Sequence, residues 1–128
     1  MPMDRSMSVL IVDDYRTMLR IIRNLLRQID FHNVDDASDG SEALTKLRAG
    51  EFGLVISDWN MEPMSGLQLL TEVRADQVLK TIPFIMVTAE SKAENVVAAK
   101  LAGVSSYIVK PFNAETLRDK IAKVLCHG

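Results

Sequence analysis

Four short apolar runs in this 128-residue chain each end in a side chain that can do chemistry. Asp13 and Asp14 follow Val9-Leu10-Ile11-Val12, and Asp58 follows Leu54-Val55-Ile56-Ser57. Thr88 follows Phe84-Ile85-Met86-Val87, and Lys110-Pro111 follows Tyr107-Ile108-Val109. If the runs are parallel strands, these groups meet along one edge of a sheet. Carboxylates within about 4–6 Å of one another resist ionisation. A divalent cation together with Lys110 balances the three negative charges of Asp13, Asp14 and Asp58. An all-oxygen donor set points to Mg²⁺ or Mn²⁺ and away from zinc. A carboxylate can attack phosphorus to give an aspartyl phosphate. The transferred group then needs its equatorial oxygens neutralised and little else. In that chemistry Asp58 is the nucleophile, and the metal on Asp13 and Asp14 holds one phosphoryl oxygen. Lys110 holds a second, and the Thr88 hydroxyl with nearby backbone N–H groups holds the third.

The elements that must position these groups alternate in type, as in a parallel sheet with crossover helices. After the first strand comes a helix with Met18, Ile22, Leu25, Leu26 and Ile29 at helical spacing. A weak strand spans about 33–37. A second helix covers about 41–48, closed by Gly50 as its C-cap. A third helix covers about 66–74 with Leu67, Leu70 and Val73 inward. Pro83 opens the fourth strand. Ser91-Lys92-Ala93-Glu94 spells a capping box for the fourth helix, which Gly103 ends. Asn113 caps a last helix whose inner face is Leu117, Ile121, Val124 and Leu125. The strands are almost continuously apolar, which suits a sheet covered on both faces. The expected fold is a doubly wound, flavodoxin-like α/β domain with five helices and strand order 2-1-3-4-5, its ligand crevice at the carboxyl ends of the strands.

Composition narrows the function classes. The chain is 48% apolar and 25% charged with a net charge of −2, an ordinary balance for one globular domain. That charge argues against a nucleic-acid-binding module, which would show a basic face. One cysteine, Cys126, rules out an internal disulfide, and His32 and His127 cannot build a Cys/His metal cluster. No apolar run has the length of a membrane span or a signal-peptide core. A cytoplasmic location and no membrane partner are expected.

Together, Leu10-Ile11-Val12-Asp13-Asp14, Ser57-Asp58-Trp59-Asn60-Met61, Val87-Thr88-Ala89-Glu90 and Tyr107-Ile108-Val109-Lys110-Pro111-Phe112 resemble response-regulator receiver domains, of the single-domain chemotaxis (CheY-like) type. The likeness runs from about Val9 to Leu125. It implies that Asp58 is the phosphoacceptor and that Asp13, Asp14, Asp58 and the backbone carbonyl of Asn60 bind Mg²⁺. It further implies that Lys110 contacts the phosphoryl group through a cis Lys110-Pro111 bond. Thr88 and Tyr107 are then the switch pair, and Asn60 and Glu90 tune autodephosphorylation. The implied partners are a histidine kinase, a phosphatase and the flagellar motor switch. The implied unit is one monomeric receiver domain over 1–128, with 1–7 as a flexible leader and no catalytic turnover beyond its own phosphorylation and dephosphorylation.

Two departures stand out. Glu62 occupies the place of a usual proline, with Pro63 next, which adds a carboxylate near the site. Ser106 stands where many relatives have glycine. Other functions share part of this pattern. A metal-dependent aspartyl phosphatase would place Asp-x-Asp after strand one and needs a cap domain. A flavin carrier needs a Ser/Thr/Gly-rich phosphate loop where this chain has Asp13-Asp14-Tyr15. A phosphate sink without motor binding, or a plain interaction module, would use the same fold. The bland reading of Asp13-Asp14 is a helix start, with Asp14 near the N-cap.

Overall fold

The computed structural model describes residues 6–62, 64–89 and 93–126. Five parallel strands lie in the order β2-β1-β3-β4-β5: β1 Val9–Val12, β2 Val34–Ala37, β3 Leu54–Asp58, β4 Phe84–Thr88 and β5 Ser106–Val109. The intervening helices are α1 Arg16–Gln28, α2 Gly40–Ala49, α3 Gly66–Ala75, α4 Ala93–Leu101 and α5 Ala114–Cys126. This is the expected doubly wound topology.

Strand side chains alternate between the two faces, so each strand feeds two cores. Leu10, Val12, Val55, Phe84 and Met86 pack with Leu44, Leu47, Leu69, Leu70 and Val73 of α2 and α3. Val9, Ile11, Leu54, Ile56, Ile85 and Val87 pack with Leu19, Ile22 and Leu26 of α1 and with Leu117 and Ile121 of α5. The central strands β1, β3 and β4 are buried throughout. The edge strand β2 is not: Asp35 and Asp36 point outward and pair with Lys46 at 3.1 Å and Arg23 at 2.6 Å. Charges on an edge discourage further strand pairing.

Local chemistry explains where the helices stop. After α1, Phe31 N–H donates to Leu26 O (2.9 Å) and Asp30 N–H to Arg27 O (3.1 Å), with Asp30 left-handed at φ 70°. After α4, Val104 N–H donates to Ala99 O and Gly103 N–H to Lys100 O, with Gly103 at φ 94°. Both are Schellman closures, and the second is the expected role of Gly103. Asn113 caps α5 as expected, accepting from Thr116 N–H at 2.8 Å.

Other details differ from expectation. Gly50 does terminate α2, but in an extended conformation (φ −133°) that any residue could adopt. The inner face of α3 is Gly66, Leu69, Leu70 and Val73, whereas Leu67 is only half-buried at the flank. On α1, Leu19 is buried while Met18, Leu25 and Ile29 sit at the margin. The α2 helix is capped by Asp39, which accepts from Glu42 N–H at 2.8 Å. A capping box closes α3: Ser65 Oγ accepts from Gln68 N–H at 3.2 Å, and Gln68 Oε1 accepts from Ser65 N–H at 2.8 Å. The box expected at Ser91-Lys92 falls outside the described residues.

Gly66 joins the helix layer to the sheet's carboxyl edge. Its N–H donates to Trp59 O at 2.9 Å. A Cβ there would clash with the backbone oxygen of Asp58 and lie 2.8 Å from Met86 Sδ. Overpacking of this kind costs about 1–3 kcal/mol or more. Gly66→Ala is expected to lower the unfolding free energy from urea melts by at least that amount, whereas Gly50→Ala, with no contact under 3.5 Å, should change it by less than about 1 kcal/mol.

Candidate functional site

The register sets the site. Ser57 is level with Val12, Val87 with Asp58, and Val109 with Thr88. Asp13, Asp58, Thr88 and Lys110 therefore arrive at the same edge from β1, β3, β4 and β5. Backbone bonds hold the exits together: Trp59 N–H donates to Val87 O (2.9 Å) and Lys110 N–H to Thr88 O (2.7 Å). The Lys110-Pro111 peptide is cis, as the sequence resemblance implies.

Asp13, Asp58 and Thr88 are buried, at 1%, 5% and 6% exposure. Asp14 is exposed at the rim. One carboxylate oxygen from each of Asp13, Asp14 and Asp58 lies within 4.8 Å of the others. Lys110 Nζ is 3.1 Å from Asp58 Oδ1 and 3.9 Å from Asp13 Oδ2. The shorter approach is an ion pair without hydrogen-bond alignment, so Asp58 Oδ1 and Asp13 Oδ2 are both buried with no hydrogen bond among the described residues. Buried polar atoms are nearly always bonded, and two orphaned acceptors side by side fit a cation bound between them.

The aspartate pair does precede the start of α1, with Asp14 next to the N-cap, but it does not cap the helix. The N-cap of α1 is Tyr15, no side chain caps it, and its first turn holds no acidic residue. Asp13 Oδ1 accepts from Tyr15 N–H at 3.0 Å, which fixes its carboxylate toward the pocket.

Burial is the main electrostatic fact. It pushes the Asp13 carboxyl up to about 6, partly opposed by the Tyr15 N–H. Asp58 and Asp14 push in the same direction as burial, and Lys110 against it. Burial also raises Asp58, against the attraction of the Lys110 ammonium beside it. Mutual repulsion, the cause expected from the sequence, is the smaller contribution.

Asn60 is exposed on the loop after β3. With Asp14, Trp59, Met61, Glu62 and Ser65 it bounds a pocket of about 410 Å³ beside the acidic cluster. The extra carboxylate of Glu62 is therefore close to the site, as its position in sequence suggests. Tyr107 is half-buried against the α2/α3 core, and Lys120 Nζ lies 5.7 Å from its ring centre. Glu90 and Pro63 lie outside the described residues. Gly66 escaped the sequence reading, although a glycine straight after a Ser cap signals close packing.

A carboxylate-and-lysine pocket on the carboxyl edge of a 2-1-3-4-5 sheet defines a class of doubly wound domain, the receivers. The comparisons agree. Residues 9–122 match the family model of the response regulator receiver domain. Chemotaxis protein CheY-3 of Vibrio cholerae is 49% identical over 122 residues, covering 95% of this chain and 94% of its own. Chemotaxis protein CheY of Pseudomonas aeruginosa is 51% identical over 118 residues, covering 92% and 95%. Among solved structures, Vibrio cholerae CheY4 superposes with a TM-score of 0.88 at 35% identity, covering 94% of this chain and 99% of that one. TrrA from Thermotoga maritima, solved in complex with Mg²⁺-BeF, gives 0.82 at 32% identity, covering 93% and 99%. This chain belongs to the response-regulator receiver family and is of the CheY type. Among the described residues no helix is long and apolar enough to cross a membrane.

The raised Asp13 value sets a pH dependence for the metal-free protein. Unfolded Asp13 releases its proton near 3.8, folded Asp13 near 6. Between those values the folded state binds more protons, so stability falls as pH rises, by up to about 3 kcal/mol from this group. In EDTA, denaturant midpoints are expected to drop from pH 4 to pH 7. Asp13→Asn should flatten that drop and exceed the parent in stability at pH 7.

Proposed function

We propose that this receiver accepts a phosphoryl group on Asp58 from a histidine kinase, with Mg²⁺ bound at Asp13, Asp14, Asp58 and the Asn60 carbonyl. The observation that carries the reading is the pair of buried, unbonded carboxylate oxygens facing Lys110. A purely structural cluster would have bonded or lost them.

Attack on phosphorus needs an ionised Asp58 oxygen, and burial alone opposes ionisation. Lys110 Nζ, 3.1 Å away, favours the charged form and stands where it can take a phosphoryl oxygen as the P–O bond to Asp58 forms. Mg²⁺, when bound, supplies the remaining positive charge for the phosphoryl oxygens. The complex of TrrA with Mg²⁺-BeF supports the same occupancy here. Asn60 and Glu90 are assigned to tuning of the later hydrolysis, the second on sequence grounds alone.

The phosphoryl group adds about 1.5–2 negative charges and three acceptors. In this reading Thr88 turns toward it and Tyr107 follows inward, which alters the surface of α4, β5 and α5. That surface already exposes apolar Val97, Leu101 and Val109, at 53%, 84% and 36%. Exposed apolar side chains on that face are available to a protein partner. The CheY relatives make a chemotaxis kinase upstream and the flagellar motor switch downstream the natural partners, in the cytoplasm. A shift of such a switch from 1:99 to 99:1 takes about 5.5 kcal/mol of differential stabilisation.

Acetyl phosphate with Mg²⁺ is expected to add one phosphoryl group to the chain, seen by intact mass, and none to Asp58→Asn. Labelling that survives in Asp58→Asn refutes the assignment. Beryllofluoride with Mg²⁺ should move the amide resonances around Thr88 and Tyr107, and a spectrum unchanged there refutes the coupling. Mg²⁺ at ten times its Kd should raise stability by about 1.4 kcal/mol in the natural chain and less in Asp13→Asn.

A further inference from the structure

We propose that Glu62 is a charge filter at the mouth of the pocket, selecting phosphodonors whose phosphorus is bound to a protonated nitrogen over dianionic acyl phosphates. The inference rests on phosphorylation of Asp58 and names the donor chemistry that the site prefers.

The pocket bounded by Asp14, Trp59, Asn60, Met61, Glu62 and Ser65 shares a wall with the acidic cluster through Asp14. Glu62 is exposed on that pocket and has no ion pair or hydrogen bond among the described residues. Lys110 does not serve it, because its ammonium lies at 3.1 Å and 3.9 Å from Asp58 and Asp13. Ser65 is committed to the α3 capping box. Met61 and Trp59 supply apolar walls, and Met61 is buried at 5% exposure. Next to such walls a charge is less screened than in open water.

Charge counting gives the direction. Asp13, Asp14 and Asp58 total −3, and a divalent ion with Lys110 totals +3. The carboxylate of Glu62 is left over as the net charge facing an approaching donor. A dianion feels twice the repulsion that a monoanion feels. Acetyl phosphate near neutral pH is a dianion. Phosphoramidate carries its proton on nitrogen and is a monoanion, and phosphorus on a protonated imidazole likewise sheds one negative charge.

Both transfers balance. An Asp58 oxygen forms the new P–O bond in each case. From phosphoramidate the P–N bond breaks, its electron pair stays on the already protonated nitrogen, and ammonia leaves. From acetyl phosphate the P–O bond breaks and acetate leaves with the pair.

The test uses the full chain with Mg²⁺ and compares initial rates for phosphoramidate and acetyl phosphate by intact mass. The ratio of the two second-order rate constants is the readout. Glu62→Gln is expected to shift the ratio toward acetyl phosphate by about 2–4-fold at roughly 0.01 M ionic strength, and Glu62→Lys by more. At 1 M salt, where the screening length is about 3 Å, the variants should converge on the parent. Glu72→Gln, on the outer face of α3 away from this pocket, should leave the ratio unchanged. Trp59 fluorescence titrated with Mg²⁺ checks that each variant still loads its metal. A ratio in Glu62→Gln and Glu62→Lys equal to the parent at low salt overturns the filter, and so does an equal shift in Glu72→Gln. Failure of both donors to label Asp58 in the parent overturns the phosphoacceptor reading itself, and the filter with it.

Discussion

The desolvation of two aspartates at the end of a parallel sheet is the constraint on which the rest of this structure turns. Asp13 and Asp58 are carried into the protein by strands that are buried on both faces. A lone carboxylate in that setting would simply keep its proton. Here the sheet brings Lys110 from β5 to within ion-pair distance, and the Tyr15 N–H from the loop after β1. The compensation is incomplete, since two oxygens stay unbonded and both carboxyls remain above their ordinary range. The fold thus maintains a site that is poorly satisfied by the protein alone, and that deficit is what a bound cation can correct.

Much of this was legible in the sequence, for a physical reason. In a parallel sheet every strand ends on the same side, so the residue after each apolar run is a residue of the crevice. The runs at 9–12, 54–57 and 84–87 are bounded sharply enough that Asp13, Asp58 and Thr88 could be placed without a structure. Gly103 and Asn113 were legible because each acts through its own local backbone. The family match then confirmed the class to which those motifs point.

What could not be read depends on contacts between elements. A step of three residues from Leu67 gives Leu70 and Val73, but the packed face is Gly66, Leu69, Leu70 and Val73. The rotation of α3 is fixed by the approach of Gly66 to Asp58, which no periodicity encodes. Leu19 was missed for a similar reason, since Met18 and Leu25 fit the helical stripe equally well in sequence. The dominance of burial over mutual repulsion at the aspartates also depends on how deep the strand ends lie. Gly50 is the expected C-cap of α2, although its extended backbone does not itself require a glycine.

The contact between Gly66 and the Asp58 carbonyl also gives the site a stiff side and a soft side. Toward α3 there is no slack, because backbone meets backbone and the Gly66 N–H is bonded to Trp59 O. Toward β4 the backbones are bonded too, Trp59 N–H to Val87 O, and the freedom there lies with side chains, buried Thr88 and then half-buried Tyr107. A disturbance at Asp58 therefore has an easy direction built into the domain. Mechanically, the proposed switch would work like a lever clamped at α3, with its free end at the far edge of the sheet.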